Sequence, residues 1–335
     1  MSATVEYTVF KGSPGGGNGV IESKTVRPAP TGKEVLVRIT HSGICGTDEH
    51  YKNADMALGH EGVGIVEQVG DAVTRLNVGD VVGWGYIHKT CGECESCLRG
   101  HDQYCNKREW YGTHNFHQGS FGSHAVWEDT FLFKVPPSLK PEYAAPLMCG
   151  GATVFSVIEA YNIRPTDRVG VIGVGGLGHL AIQFLAKMGS DVVVFSSTDS
   201  KKDEAIRLGA KEFHTTKGVE HFEGVKPLDH LIITTSFLTK WKPFIDIMKP
   251  EGTIYPITIS GDDLVLPILP VVLAGITIQG TVVASRSVHA RMLEFAARND
   301  VYPIIETFPM TKDGVNAGMQ KLRDGHMRYR GVLVA

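Results

Sequence analysis

The chain has 335 residues, a formal net charge of -3, 42% hydrophobic and 21% charged residues, and 39 glycines. Such a length exceeds what one core usually fills, so about two domains are expected, and the near balance of charge gives no electrostatic reason for nucleic acid or a membrane surface as partner. Residues Met1 to Phe10 lack the basic start and unbroken apolar stretch of a secretory signal, and no run approaches the ~18 apolar residues of a membrane span, which leaves the cytoplasm as the expected compartment.

From Val5 to about Phe133, short β-rich runs such as Glu34 to Ile39 and Val63 to Val69 alternate apolar and polar positions between glycine and proline turns. That texture predicts antiparallel sheet folded as a small barrel. Within it lie Cys45-Gly46-Thr47-Asp48-Glu49-His50 and Gly59-His60-Glu61. Cys45, His60 and the later Cys149 offer two sulfurs and one imidazole nitrogen, the three-ligand set of a catalytic zinc that keeps a fourth position open. Thr47, two residues beyond a ligand, can bond a substrate oxygen, and His50 can pass a proton to solvent.

Next comes the run from Cys91 to Cys105, with Cys91, Cys94, Cys97 and Cys105 inside 15 residues. Four thiolates at this spacing close a tetrahedral shell, so a structural zinc is expected, giving two zincs per chain. A redox CxxC would open a helix beside a thioredoxin-like strand, whereas this one sits in a glycine-rich loop. A nucleic-acid-binding ribbon would want excess basic residues, but Glu93, Glu95, Asp102 and Glu109 offset Arg99, Lys107 and Arg108. All six cysteines are thereby committed to metal, which requires a reducing compartment. His114 and His117 form an HxxH pair without helix signal or adjacent acid and read as surface residues. Trp84, Trp110, Tyr111 and Phe116 fit either a pocket lining or core.

After Pro136-Pro137, helix-period stretches alternate with compact β-branched runs at Val169 to Ile172, Val192 to Phe195, Leu231 to Thr234, Thr253 to Pro256 and Ile276 to Gly280. The alternation predicts βαβ units and a parallel sheet. Gly173-Val174-Gly175-Gly176-Leu177-Gly178 follows the first of these strands and opens a helix from His179 to Met188. In this setting the glycines let the backbone approach a pyrophosphate at a helix N-terminus. After the second strand, Ser196, Ser197 and Thr198 with Lys201 and Lys202 make a cradle for a 2'-phosphate, so NADP(H) is expected; Asp199 is the residue that would favour NAD. A late helix from Val288 to Arg298 presents Met292, Leu293, Phe295 and Ala296 as its apolar face, and Tyr329 to Val334 reads as a strand returning to the first domain.

Taken together, Gly43 to Asp48, Gly59 to Gly64, the four-cysteine loop, Cys149 and Gly173 to His179 resemble the zinc-dependent medium-chain alcohol dehydrogenases. Ser196 to Lys202 and the ending Arg328-Tyr329-Arg330 are most similar to the cinnamyl alcohol dehydrogenase branch. The resemblance implies an α/β fold: a GroES-like β-barrel catalytic domain over 1-150, completed by 286-335, and a Rossmann doubly wound parallel-sheet domain over 151-285. It implies Cys45, His60 and Cys149 as catalytic-zinc ligands, Glu61 as an acid able to approach that metal, and a proton relay through Thr47 and His50. The cofactor set it implies is Gly173, Gly175, Gly176, Leu177, Gly178, Ser196, Ser197, Thr198, Lys201 and Lys202, with Thr153. The activity implied is NADP(H)-linked reduction of a small-molecule aldehyde, or the reverse, by a homodimer or homotetramer; reduction of a C=C or C=N bond on the same fold is the alternative. A non-enzymatic role would predict missing ligands, and none is missing. One departure is specific to this chain: the stretch from Cys45 to His60 is several residues shorter than usual, at Tyr51 to Leu58, where such enzymes shape the space beside the metal.

Overall fold

The computed structural model describes residues 3-17, 19-235, 240-261 and 263-335. The chain divides into two units, Met1-Ala152 with Val283-Ala335, and Thr153-Val282. The first is built on a seven-stranded sheet in the order Ile305-Pro309, Arg330-Val334, Glu34-Ile44, Gly62-Val69, Val81-Trp84 and Phe133-Lys134, with His124-Glu128 also pairing Glu34-Ile44. Strand Glu34-Ile44 reads as alternating β-branched and polar residues and buries Val35, Val37 and Ile39 against Val66, Val82, Trp84 and Trp127. Burial of this kind stabilises by about 25 cal/mol per Å² of apolar surface. Trp84 is therefore core, while Phe116 is exposed.

Register carries the functional residues to one place. Strand Glu34-Ile44 lies between the C-terminal strand, with Val332 opposite Gly43, and strand Gly62-Val69, with Ser42 opposite Gly62. Cys45 follows the first strand, Glu61 precedes the second and Arg330 opens the third, so all three come to the same end of adjacent strands. Gly43 is needed there because a Cβ would collide with the Glu61 carboxylate.

The second unit holds six parallel strands in the order Glu212-Thr215, Asp191-Ser196, Arg168-Ile172, Leu228-Ile233, Met248-Pro256 and Thr277-Ile278. Numbered within the unit this is 3-2-1-4-5-6, the Rossmann order, whose reversal between strands 1 and 4 opens a ligand crevice at their carboxyl ends. The last strand, expected over Ile276 to Gly280, is only two residues long. The glycine turn sits at the end of strand 1 and leads into helix Gly178-Met188. Gly173 has φ +96°, and its N-H donates to the Phe195 carbonyl at 2.7 Å.

The sequence contains no unbroken apolar run of membrane length, and one helix of the structure is long and apolar enough to cross a membrane by length and composition alone. Pro141-Ala160 forms 20 residues of continuous helix with mean hydropathy 1.2. Its apolar character is that of a core element, since most of it is buried; Glu142 and Glu159 interrupt the run in sequence but stand at its ends.

Close approach at Gly178 generates a paired prediction. A Cβ there would lie inside van der Waals contact of the Gly173 carbonyl oxygen and 2.8 Å from Thr234 Oγ1, whereas one at Gly175 meets nothing within 4 Å. Thermal unfolding of Gly178→Ala should show a loss of about 1-3 kcal/mol, with Gly175→Ala close to the parent. Equal melting of the two variants would contradict this packing.

Candidate catalytic and structural metal centres

Cys45 ends a strand and caps the short helix Gly46-His50; its N-H donates to Asp48 Oδ2 at 2.8 Å, half of a capping box. The other oxygen of Asp48, fully buried, accepts from Tyr111 Oη at 2.8 Å, His60 Nδ1 at 3.1 Å and Gly59 N at 3.2 Å. A carboxylate only accepts, so Nδ1 of His60 carries a proton toward it and Nε2 faces away. Cys149 lies on a single π-helical turn, Leu147-Gly151, a local geometry common at functional sites.

These elements bring one ligand atom each from Cys45, His60, Glu61 and Cys149 within 4.8 Å of one another. His60 Nε2 and Glu61 Oε2 are buried without a hydrogen-bond partner. Two sulfurs and an unpartnered imidazole nitrogen suit a tetrahedral zinc, with a carboxylate-histidine-metal arrangement supplied by Asp48. The electrostatics point the same way. A hydrogen bond from the Cys149 thiol holds Cys45 well below the ordinary thiol range, while the same contact and burial push Cys149 well above it. Burial alone would depress His60, but the Asp48 carboxylate and the Cys45 sulfur hold it well above its usual value.

Glu61 is ion-paired with Arg330, which is itself buried. Burial pushes the Glu61 carboxyl up to about 7, opposed by the guanidinium and reinforced by the Cys45 sulfur. Thr47 Oγ1 lies 3.7 Å from Cys45 Sγ. His50, one turn on along the same helix, is exposed. Tyr111 packs its ring 4.6 Å from that of His60, and Tyr86 meets His60 edge-on at 5.8 Å. Asp48, Arg330 and Tyr86 are residues of the candidate site to which the sequence motifs assigned no role; an acid next to Thr47 and three residues past Cys45 is a signal only once its partners are known.

The second group contains Cys91, Cys94, Cys97 and Cys105, again within 4.8 Å. Sulfur-sulfur separations are 3.5 Å for Cys94-Cys97 and Cys91-Cys105 and 3.9 Å for Cys91-Cys97. The edge of a tetrahedron with Zn-S bonds of ~2.3 Å is ~3.8 Å, so the cage matches zinc. Backbone N-H groups of Glu93 and Cys94 draw the Cys91 thiol down to about 6, whereas burial and the Cys94 contact push Cys97 up to about 12. His114 and His117 are exposed and join neither group.

In the other unit, Ser196 is buried at the end of its strand, and Ser197, Thr198 and Lys202 are exposed beyond it. Lys201 reaches back to donate to the Val174 carbonyl at 2.7 Å, which sets its cation beside the glycine turn. Thr198 and Ser200 share a hydrogen bond at 2.9 Å. Asp199 is exposed at the start of a 3-10 turn. Thr153 is buried on helix Ala152-Ala160.

Metal analysis tests both centres. The parent should carry two zincs, Cys45→Ala and Cys94→Ala one each, and Asp48→Asn should bind the Cys45-site metal ~10-100-fold more weakly in chelator competition. Unchanged affinity in Asp48→Asn would show that the carboxylate does not orient His60.

Residues 31-137 match the family model described as alcohol dehydrogenase GroES-like domain, and residues 176-298 that described as zinc-binding dehydrogenase. The chain is 32% identical to the aldehyde reductase AdhA of Synechocystis sp. over 325 residues, covering 94% of this chain and 96% of the relative. It is 34% identical to a probable cinnamyl alcohol dehydrogenase of Populus deltoides over 316 residues, covering 90% and 88%. A cinnamyl alcohol dehydrogenase structure from Sorghum bicolor superposes with a TM-score of 0.90 at 32% identity, covering 98% of each chain. The chain belongs to the zinc-dependent medium-chain alcohol dehydrogenases, in their cinnamyl alcohol dehydrogenase-like branch.

Proposed function

We propose that this enzyme is an NADP(H)-linked aldehyde reductase acting on a small-molecule carbonyl, with Cys45, His60 and Cys149 as ligands of a catalytic zinc and the four-cysteine loop holding a structural one. The observation that carries the reading is the convergence of two sulfurs with an unpartnered His60 Nε2 whose other ring nitrogen is fixed by Asp48. When bound, zinc supplies Lewis-acid polarisation of the carbonyl and NADPH supplies the hydride. The chain's own residues do the rest. Asp48 holds His60 in one tautomer, Arg330 restrains Glu61, and Thr47, beside Cys45, offers the hydroxyl through which a proton reaches the product oxygen. Thr47 and His50 stand three residues apart on one helical face, so the path ends at an exposed imidazole.

Ser196, Ser197 and Lys201, with no acid at the strand end itself, support NADP(H) over NAD. The cytoplasm fits six free cysteines. Self-association into a dimer or tetramer is supported by Ile268-Ala274, a helix with Ile268, Leu269, Val272 and Leu273 all exposed, next to the edge strand Thr277-Ile278.

A screen of NADPH oxidation over aromatic and aliphatic aldehydes, ketones, enals and imines tests the reading. Aldehydes should be reduced at the carbonyl, with kcat/KM higher for NADPH than NADH, and Lys201→Ala should raise the KM for NADPH by about tenfold. Enals reduced at the C=C bond would establish the alternative chemistry. In sedimentation velocity, Leu273→Glu should shift the enzyme to a smaller species.

A further inference from the structure

Among the described residues, Cys149 has no second-layer partner comparable to the Asp48 that fixes His60, but its neighbour Met148 is held by one. On the π-helical turn Leu147-Gly151, Met148 Sδ lies 3.3 Å from Nε2 of the buried His289. A thioether can only accept, so Nε2 carries the proton and donates to sulfur. The imidazole is fixed in turn: its ring stacks on Phe133 at 4.1 Å and 14°. Gly83 and Gly85 leave the space that Met148 fills, since a Cβ at Gly83 would collide with the Met148 side chain and one at Gly85 with its carbonyl.

His289 stands in the first turn of helix Arg286-Asn299, whose N-cap Ser285 accepts from Val288 N. That turn has a second anchor. Arg286 N donates to Asp102 Oδ1 at 3.1 Å, and its guanidinium is ion-paired with the same carboxylate. Asp102 is buried and lies within the four-cysteine loop, between Cys97 and Cys105. One helical turn therefore grips the loop of the structural centre through Arg286 and the turn that carries Cys149 through His289.

We propose that the first turn of helix Arg286-Asn299 couples the four-cysteine loop to the turn that carries Cys149, with His289 the positioning residue that holds Cys149 through Met148. This rests on the reading of Cys45, His60 and Cys149 as metal ligands. Loosening either grip gives Cys149 freedom to leave the metal while the four-cysteine cage keeps its own.

Zinc release into a colorimetric chelator tests the coupling, the phase absent in Cys45→Ala being that of the catalytic site. His289→Leu should speed that phase by about tenfold and leave the four-cysteine phase unchanged, while His289→Gln, which keeps an N-H donor, should return it toward the parent rate. Asp102→Asn should accelerate the same phase from the other end. Parent-like release in His289→Leu, equal release in His289→Gln and His289→Leu, or no acceleration in Asp102→Asn would overturn the coupling. Should Cys45→Ala lack no phase, the ligand assignment itself fails, and this inference with it.

Discussion

One buried carboxylate sets the geometry around the first metal centre. Asp48 accepts hydrogen bonds from the backbone N-H of Cys45 and Gly59, from His60 Nδ1 and from the Tyr111 hydroxyl, and has no exposure to water. An ionised carboxylate removed from solvent is costly unless its lone pairs are filled, and here they are filled by the segments that carry Cys45 and His60, together with Tyr111. The charge of Asp48 therefore determines where Cys45 and His60 stand and which nitrogen of His60 is free. Burial and the same charge push the Tyr111 phenol well above its ordinary pKa, so it remains a donor. The stretch after the helix runs straight into this arrangement: Met56, Ala57 and Leu58 are buried and lead directly into Gly59.

Charge is balanced locally on the other side of the site as well. Glu61 would be an unpaired buried acid without Arg330, and Arg330 reaches it only because the final strand pairs beside Glu34-Ile44. The four-cysteine loop follows the same logic with sulfur alone, having almost no apolar core of its own; among its cysteines only Cys105 is fully buried. In the parallel-sheet unit, by contrast, the proposed cofactor site is built mainly from backbone: the glycine turn and the N-terminus of Gly178-Met188, with Lys201 bonded to the turn's own carbonyl.

Local spacing was the legible part of the sequence. Cysteine intervals, the strand-glycine-helix succession and the β-branched runs of the parallel sheet are all statements about neighbours within about 15 residues, and the structure has those elements. Apart from the grouping of Cys149 with Cys45 and His60, partnerships across the chain were not legible. Glu61 and Arg330 are 269 residues apart, and Met148 and His289 are 141 apart; neither pairing has a periodic or compositional signature. Tyr111 and Trp84 looked alike as aromatics near the metal segments, yet the first bonds Asp48 and the second fills the sheet core, a distinction made by tertiary contacts. The helix Pro141-Ala160 shows the converse, since its acids broke the apolar run in sequence without affecting its burial.

The most direct test of the central role of Asp48 is NMR of the enzyme loaded with cadmium-113 and labelled with nitrogen-15 histidine. The predicted spectrum has two cadmium resonances: one coupled to Nε2 of a single histidine that retains its Nδ1 proton, and one with sulfur ligands only and no histidine coupling. Cadmium coupling through Nδ1, or no coupling to any histidine, would contradict the account.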